Sequence, residues 1–406
     1  MSGRPAPSPA DRARWQQADA AARPGRLERL REDLERRSLD AYLGVCPENA
    51  RYLTGFVLGD GEDKVAGASG RFLVSGDESV VLADSRYRLQ AIDQCADSRI
   101  EEVVGSFASA WPRLVAGLTP ISAHQGSGPR RIGIDASFLS HAQWLRLAEA
   151  AAALELVPVE GLIEAQRTTK SPEELERIAA ACAIADGALE QTLPDIREGV
   201  SERDLAMALE WRMRTAGADG LAFDVACLSG PRAALPHGSP GDRRVARGEV
   251  LLFDFGAQVD GYRSDMTRTL FVGQPSERDL AVYELVARAQ LAAISALRTA
   301  LDEDREISNR EVDAAARGEI EAAGHGRHFG HGTGHGIGLA THELPSIGRL
   351  APEAALPSPT VFSVEPGVYL DGETGVRIED LVAIDRADRS LQRLTGFPSA
   401  VTVVGE

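Results

Sequence analysis

Leu27, Leu30 and Leu34 share one face of a helix that the spacing predicts from Arg26, and Ala41–Val45 follows as a buried strand. Arg71–Val74 and Ser79–Leu82 flank Gly76-Asp77, a hairpin signal. Arg131–Asp135 reads as a strand, a helix opens at Ser140, and Leu156–Val159 reads as a further strand. Alternating strands and helices over this stretch predict an α/β domain with a largely buried sheet. Beyond a boundary near Glu164–Lys170 the pattern changes. Ser171-Pro172-Glu173-Glu174 opens a helix with an N-cap serine, proline at the first helical position and glutamate three after the cap. Leu175, Ile178, Cys182, Ala185 and Leu189 form its inner stripe. Further helices open at Ser201, Ser276 and Ser308, the last closed by Gly324. A hairpin follows each helix pair, which predicts an α+β domain of two halves alike in element order.

The two hairpins carry the informative polar positions. Val250–Val272 holds Asp254 and Asp265 on opposite arms of a turn near Val259-Asp260-Gly261. Their numbers sum to an odd value, so a two-residue loop places both carboxylates on one face, opposite or diagonal to each other. Thr360–Ile384 repeats the arrangement with Glu365 and Glu379 about a midpoint at Gly372. Acids gathered on a half-buried sheet repel and lose hydration unless a positive charge lies between them. Arg377, two residues from Glu379 and on its face, is one candidate, giving a buried Arg–Glu pair; a divalent metal is the other.

Histidine usage decides between them. Of eight histidines, His325, His328, His331, His335 and His342 fall in one short stretch interleaved with glycines. Glycines let the backbone approach whatever the imidazoles serve. Gly-Thr-Gly-His-Gly loosely matches a phosphate loop, but it lacks the strand–loop–helix setting and the lysine. Four carboxylates and a neutral imidazole would be balanced by two divalent ions, and an oxygen-rich set suits Mn²⁺, Co²⁺ or Zn²⁺. The chemistry implied is metal-assisted hydrolysis.

Composition narrows the setting. A chain of 406 residues accommodates two domains, and a net charge of −17 without a basic run argues against nucleic acid or an anionic membrane as partner. No apolar stretch reads as a bilayer span. Cys46, Cys95, Cys182 and Cys227 are scattered and read as reduced, which points to the cytoplasm. Residues 1–25, rich in Pro, Ala and Arg, read as a flexible extension, followed by domains at 26–163 and 164–406. His124 and His141 read as surface residues.

The Asp254–Asp265 spacing, Gly-Tyr-Arg-Ser-Asp-Met-Thr-Arg-Thr, His-Gly-Thr-Gly-His-Gly-Ile-Gly-Leu, Val-Glu-Pro-Gly and Val-Arg-Ile-Glu-Asp together resemble the pita-bread metallopeptidases. Within that group the chain is similar to the Xaa-Pro aminopeptidases and the Xaa-Pro dipeptidases, or prolidases. Arg51-Tyr-Leu-Thr-Gly-Phe56 resembles a piece of the creatinase-type N-terminal α/β domain. The resemblance implies two metal ions, most often Mn²⁺, with Asp254 on one, Asp265 and Glu379 bridging both, and His335 and Glu365 completing the second. It implies that Glu365 takes a proton from the attacking water and that Arg377 orients Glu379. His237 would be a substrate-side histidine, His331 would lie beside the proline region, and His342 would stabilise the intermediate or relay a proton. Substrates would be peptides with proline in second position, and the assembly a homodimer. Creatinase shares the fold without the metal set, and methionine aminopeptidases share the set without the N-terminal domain. Some prolidases hold the dipeptide carboxylate with an arginine near the position of Ser346; here Arg349 follows three residues later, which favours the aminopeptidase. The alternatives are a prolidase and a non-catalytic peptide-binding protein on the same fold.

Overall fold

The computed structural model describes residues 6–59, 61–62, 67–122 and 129–405. Its contacts divide into two compact units, one of Ala13–Gln166 and one of Met1–Arg12 with Arg167–Glu406. Helix α1 (Pro9–Arg36) begins well before the predicted Arg26. Residues 9–25, read from sequence as a flexible extension, are therefore its first turns; residues 1–5 lie outside the described residues. Ser8 starts it by accepting from the Asp11 amide at 3.2 Å, and Ser8 N donates back to Asp11 Oδ2 at 3.0 Å. Arg, Gln and Ala are strong helix formers, so the segment needs no apolar stripe, and Trp15 still buries its indole. The absence of an apolar segment was the misleading signal, and the helix also accommodates Pro24.

The amino-terminal unit is built on strands β1 (Ala41–Gly44), β2 (Phe72–Val74), β3 (Ser79–Ala83), β4 (Arg99–Glu102), β5 (Arg130–Asp135) and β6 (Leu154–Val159). They form one mixed sheet in the order β4-β3-β2-β1-β5-β6. The Gly76-Asp77 hairpin pairs β2 and β3 antiparallel, whereas β1, β5 and β6 run parallel. Helices α2 (Pro47–Thr54), α3 (Arg88–Gln94), α4 (Phe107–Ala116) and α5 (His141–Ala150) lie in the connections between strands, and Ser140 caps α5 in a capping box. Trp111 of α4 packs with Leu43, Leu73, Val80 and Ile132 in the core. His141 is exposed; His124 lies outside the described residues.

After the short α6 (Leu162–Arg167), the second unit shows the predicted alternation: helices α7 (Pro172–Thr192) and α8 (Glu202–Thr215), a hairpin, helices α9 (Glu277–Asp302) and α10 (Asn309–Ala322), and a second hairpin. Ser171, Ser201, Ser276 and Ser308 each cap their helix, accepting from the amide three residues on. Strands β7 (Gly220–Leu221) and β8 (Ala226–Ser229) precede the first hairpin, formed by β9 (Val250–Phe255), β10 (Ala257–Val259), β11 (Tyr262–Arg263) and β12 (Met266–Val272). Strands β13 (Gly334–Gly336) and β14 (Glu343–Ile347) lead into the second, formed by β15 (Thr360–Val364), β16 (Gly367–Leu370), β17 (Thr374–Arg377) and β18 (Asp380–Asp385). A helix as long and apolar as α9 could cross a bilayer by length and composition, contrary to the sequence reading. Its Val282, Val286, Ala289, Ala293 and Leu297 instead pack against Phe362, Val364, Val376 and Val382, so the apolar stripe is the floor of this unit's core.

Candidate metal centre

Both hairpins fold as single antiparallel ribbons, and both interrupt their ladders at the candidate ligands. In the first, the turn Asp260-Gly261 takes positive φ at both residues, 44° and 74°, as a two-residue hairpin loop requires. Asp254 pairs opposite Thr267 and Phe255 opposite Met266. Asp265, one residue before Met266, thus stands diagonal to Asp254, in the gap between β11 and β12. In the second, Val364 faces Asp380 and Gly367 faces Arg377. The same register sets Glu365 directly opposite Glu379, each in the gap where the ribbon passes from one sheet to another. A ladder gap leaves carbonyls without partners. Gln290 of α9 fills that need, its amide donating to Val364 O at 3.1 Å, Ile378 O at 3.2 Å and Asp380 Oδ2 at 3.0 Å.

The hairpins are stitched together by β12. Thr267 Oγ1 donates to Glu379 Oε2 at 2.7 Å, and the Glu379 amide donates to Thr267 O at 3.2 Å. Thr269 Oγ1 donates to Arg377 O at 2.9 Å. Arg268, buried on the other face, donates to Glu379 O at 2.5 Å and Asp380 Oδ1 at 2.6 Å. Arg377 does not pair with Glu379, as the sequence and the resemblance suggested. It reaches across to Asp254 Oδ2 at 2.6 Å, Thr267 Oγ1 at 2.8 Å, Tyr369 Oη at 2.9 Å and Pro236 O at 3.1 Å. The two side chains share a face and meet through Thr267 Oγ1, which accepts from Arg377 and donates to Glu379.

His335 lies on β13, the middle strand between β14 and β15. A side chain at Gly334 would put its Cβ 1.8 Å from Ser363 O, and one at Gly336 2.1 Å from Leu344 O. The glycines flanking the imidazole thus allow three backbones to close together. Their role is sheet packing, which is why the phosphate-loop likeness carries no weight. His335 Nε2 points at Glu365 Oε1, 3.2 Å away, and at Asp265 Oδ2, 3.6 Å away. Ser363 Oγ donates to Glu365 Oε1 at 3.0 Å and accepts from the His335 amide at 3.0 Å.

These side chains share a cavity of about 360 Å³ with His237, His331, His342, Phe223, Thr341 and Ser346. All nine site residues proposed from sequence line it; His325 and His328 do not. Both nitrogens of His331 are engaged. Nδ1 lies 2.7 Å from Gly332 O, which can only accept, so Nδ1 carries the proton and Nε2 accepts from Tyr369 Oη at 2.9 Å. Burial holds His331 below its ordinary pKa, in keeping with the neutral ring. His342 stacks on His335 with ring centroids 4.2 Å apart. Tyr369 and Thr267 were missed from sequence. Thr267 stands two residues along the strand from Asp265 and shares its alternation, which was a usable signal; Tyr369 sits in an ordinary apolar run and gave none.

The electrostatics of these crowded acids favour a cation among them. Burial, then the neighbouring Glu379, Asp254 and Glu365, push Asp265 well above the carboxylate range. Burial, then Glu365 and Asp254, lift Glu379 to about 8. Burial also raises Asp254, with Arg377 opposing it. Burial disfavours charge on His335, yet its hydrogen bond to Glu365 and the charges of Glu365 and Glu379 hold it up at about 9; the same pairing outweighs burial at Glu365 and brings it to about 2. Glu379 Oε1 is buried with no hydrogen-bond partner. Ligand atoms of Asp265, His335 and Glu379 all lie within 4.8 Å of one another. An orphaned carboxylate oxygen, crowded acids and one imidazole fit hard or borderline divalent cations.

Comparison with known proteins agrees with this geometry. Residues 176–386 match metallopeptidase family M24, and residues 26–169 match the creatinase/prolidase N-terminal domain. The chain is 32% identical to an Xaa-Pro dipeptidase of Pyrococcus furiosus, over 91% of this chain and 97% of that protein. Among solved structures it resembles an Xaa-Pro dipeptidase from Bacillus anthracis, with a TM-score of 0.82 and 31% identity over 94% of this chain and 99% of that one. It also resembles an X-Pro aminopeptidase from Thermotoga maritima, with a TM-score of 0.78 and 30% identity over 93% and 99%. A pita-bread unit bearing a carboxylate–imidazole cluster, preceded by a creatinase-type α/β unit, makes this chain a member of metallopeptidase family M24.

Proposed function

We propose that the protein is an Xaa-Pro aminopeptidase that hydrolyses the bond between an N-terminal residue and proline, using two divalent ions held by Asp254, Asp265, His335, Glu365 and Glu379. The observation that carries this reading is the convergence of those five side chains with His237, His331 and His342 on one cavity. When bound, the ions polarise the scissile carbonyl and make water a nucleophile near neutral pH. Glu365 accepts the proton of the attacking water at a carboxylate oxygen, a role supported by its ionised state and its place beside His335. His342 stabilises charge growing on the carbonyl oxygen or passes the proton on. His331, with both nitrogens taken, acts as a fixed wall beside the proline ring. Arg377 anchors Pro236 and so holds the loop that carries His237. The reading includes manganese as the working ion, a homodimer as the assembly and the cytoplasm as the compartment.

Aminopeptidase is preferred because, among the described residues, Arg377 is the one Lys or Arg lining the cavity, and its guanidinium is committed to Asp254, Thr267, Tyr369 and Pro236. No side chain of that kind is left for the terminal carboxylate of a dipeptide, and Arg349 is exposed and outside the cavity. The dipeptidase is the second reading, favoured by the names of the Pyrococcus and Bacillus relatives. Metal analysis of purified protein, then a comparison of Xaa-Pro with Xaa-Pro-Yaa peptides, tests both. Turnover of the tripeptide supports the aminopeptidase, and turnover of the dipeptide alone overturns it. Absence of bound metal and of turnover with either would leave a peptide-binding protein.

A further inference from the structure

The amino-terminal unit contains a second cavity, of about 250 Å³, in which Arg71, Arg146, Gln143, Ser106 and Phe107 take part. Among the described residues no acid lines it, in a chain whose net charge is −17. Arg71 lies over the Phe107 ring, 4.6 Å from its centroid, and among the described residues it has neither a carboxylate partner nor a side-chain hydrogen bond. Removal from water alone lowers its pKa to about 10, with no neighbouring charge offsetting the loss. Arg71 is half-buried; a guanidinium partly withdrawn from solvent without a counter-charge is unfavourable, and chains ordinarily supply an acid to a buried one. Elsewhere this protein does so: Arg177, Arg268, Arg317 and Arg377 each meet an aspartate. Arg146, an exposed residue of α5, brings a second guanidinium to the rim of the same cavity. Helix α4 begins at the same cavity, and its Phe107 and Ala108 amides find no acceptor among the described residues. Ser106 Oγ is occupied by the Ser109 amide at 3.1 Å. The remaining walls are apolar, from Ala68, Phe107 and Leu147.

We propose that this cavity binds a small organic anion, with a carboxylate or phosphate group held between the Arg71 and Arg146 guanidiniums and an apolar body against Phe107 and Leu147. Paired guanidiniums match the planar, multidentate geometry of such oxyanions. The site is separate from the metal centre, all of whose residues belong to the other unit.

Calorimetric titration of the full-length protein with benzoate and with phenyl phosphate tests the proposal and separates the two head groups. Saturable one-to-one binding of either is expected. R71M should weaken it about ten- to a hundredfold, the loss of a charge-assisted contact, and R146A should weaken it to a lesser degree. Peptide turnover should be unchanged in both variants. D265N, impaired in metal binding, should still bind the probe, which excludes the metal centre as its location. R71K, which keeps charge but loses the fork, covers the case in which R71M fails to fold. No saturation by either probe below about 10 mM, or binding indifferent to Arg71, would overturn the proposal.

Discussion

Arg377 donates to Asp254 across the two hairpins, Nη2 to Oδ2 at 2.6 Å, and leaves Glu379, two residues along its own chain, to Thr267. Removing a residue that orients a ligand typically lowers metal affinity about ten- to a hundredfold. R377A should therefore bind Mn²⁺ that much more weakly, with part of its activity recovered at saturating metal. R377K should recover less than a charge count suggests, because lysine cannot span Asp254, Thr267, Tyr369 and Pro236 at once. Titration of metal against activity in both variants measures this. Unchanged metal affinity in R377A would remove the orienting role.

Asp265 sits among three acids, and its charge is opposed in the metal-free protein by burial and by Glu379, Asp254 and Glu365. D265N should abolish turnover while leaving the metal-free fold at least as stable, since it removes one source of repulsion. Thermal melts with and without Mn²⁺ distinguish the two effects. Wild type should gain stability on adding metal and the variant should gain little. Full turnover by D265N in metal-replete buffer would refute its place among the ligands.

Glu379 and His335 have ordinary values of 4.5 and 6.5 but are held at about 8 and about 9 in the folded, metal-free site. Each binds its proton more tightly folded than unfolded, so the stability it contributes is complete below its ordinary value and lost as pH rises through its folded one. Glu365, brought to about 2, acts oppositely: its contribution is present above 4.5 and lost as pH falls toward 2. Metal-free protein should therefore melt at progressively lower temperature from about pH 5 to about pH 9, whereas metal should flatten that decline. Binding should also release protons, seen as a buffer-dependent enthalpy near pH 6.5. A metal-free melting temperature that rises across this interval would contradict the assignment.

Gly334→Ala should prevent folding of the second unit, because its methyl would lie 1.8 Å from Ser363 O, a backbone atom fixed by the sheet. Gly330→Ala, in the same histidine-rich stretch, meets nothing within 4 Å and should be soluble and active. Soluble yield and circular dichroism of the pair provide the comparison. A folded G334A would mean that β13 and β15 tolerate separation.

Much of the candidate metal centre was legible because its carboxylates sit along the paired arms of two hairpins, where period two and a turn position fix which side chains share a face. Glu365 and Glu379 are the clearest case, since the midpoint at Gly372 alone places them opposite each other. The histidine-rich stretch was legible as a site, but which imidazole turns inward was readable only by resemblance, because a three-residue strand between two others leaves no periodicity. The partner of Arg377 was illegible because alternation assigns a face but not which of the acids gathered on that face the guanidinium reaches. Helix α1 was illegible for another reason: its early turns follow backbone propensity and carry no apolar stripe.

The seam formed by Thr267, Thr269, Arg268 and Gln290 also bears on which ions the centre accepts. Four carboxylates on free loops could spread to suit any radius. Here Glu379 is fixed at its amide, its carbonyl and one carboxylate oxygen, and the backbone on either side of the gap is tied to α9. Such a frame would resist dilation and so favour ions by size. First-row ions, with ligand bonds near about 2.1 Å, suit a tight aperture. Calcium, which takes six to eight oxygens at about 2.3–2.6 Å, would have to pry the two hairpins apart.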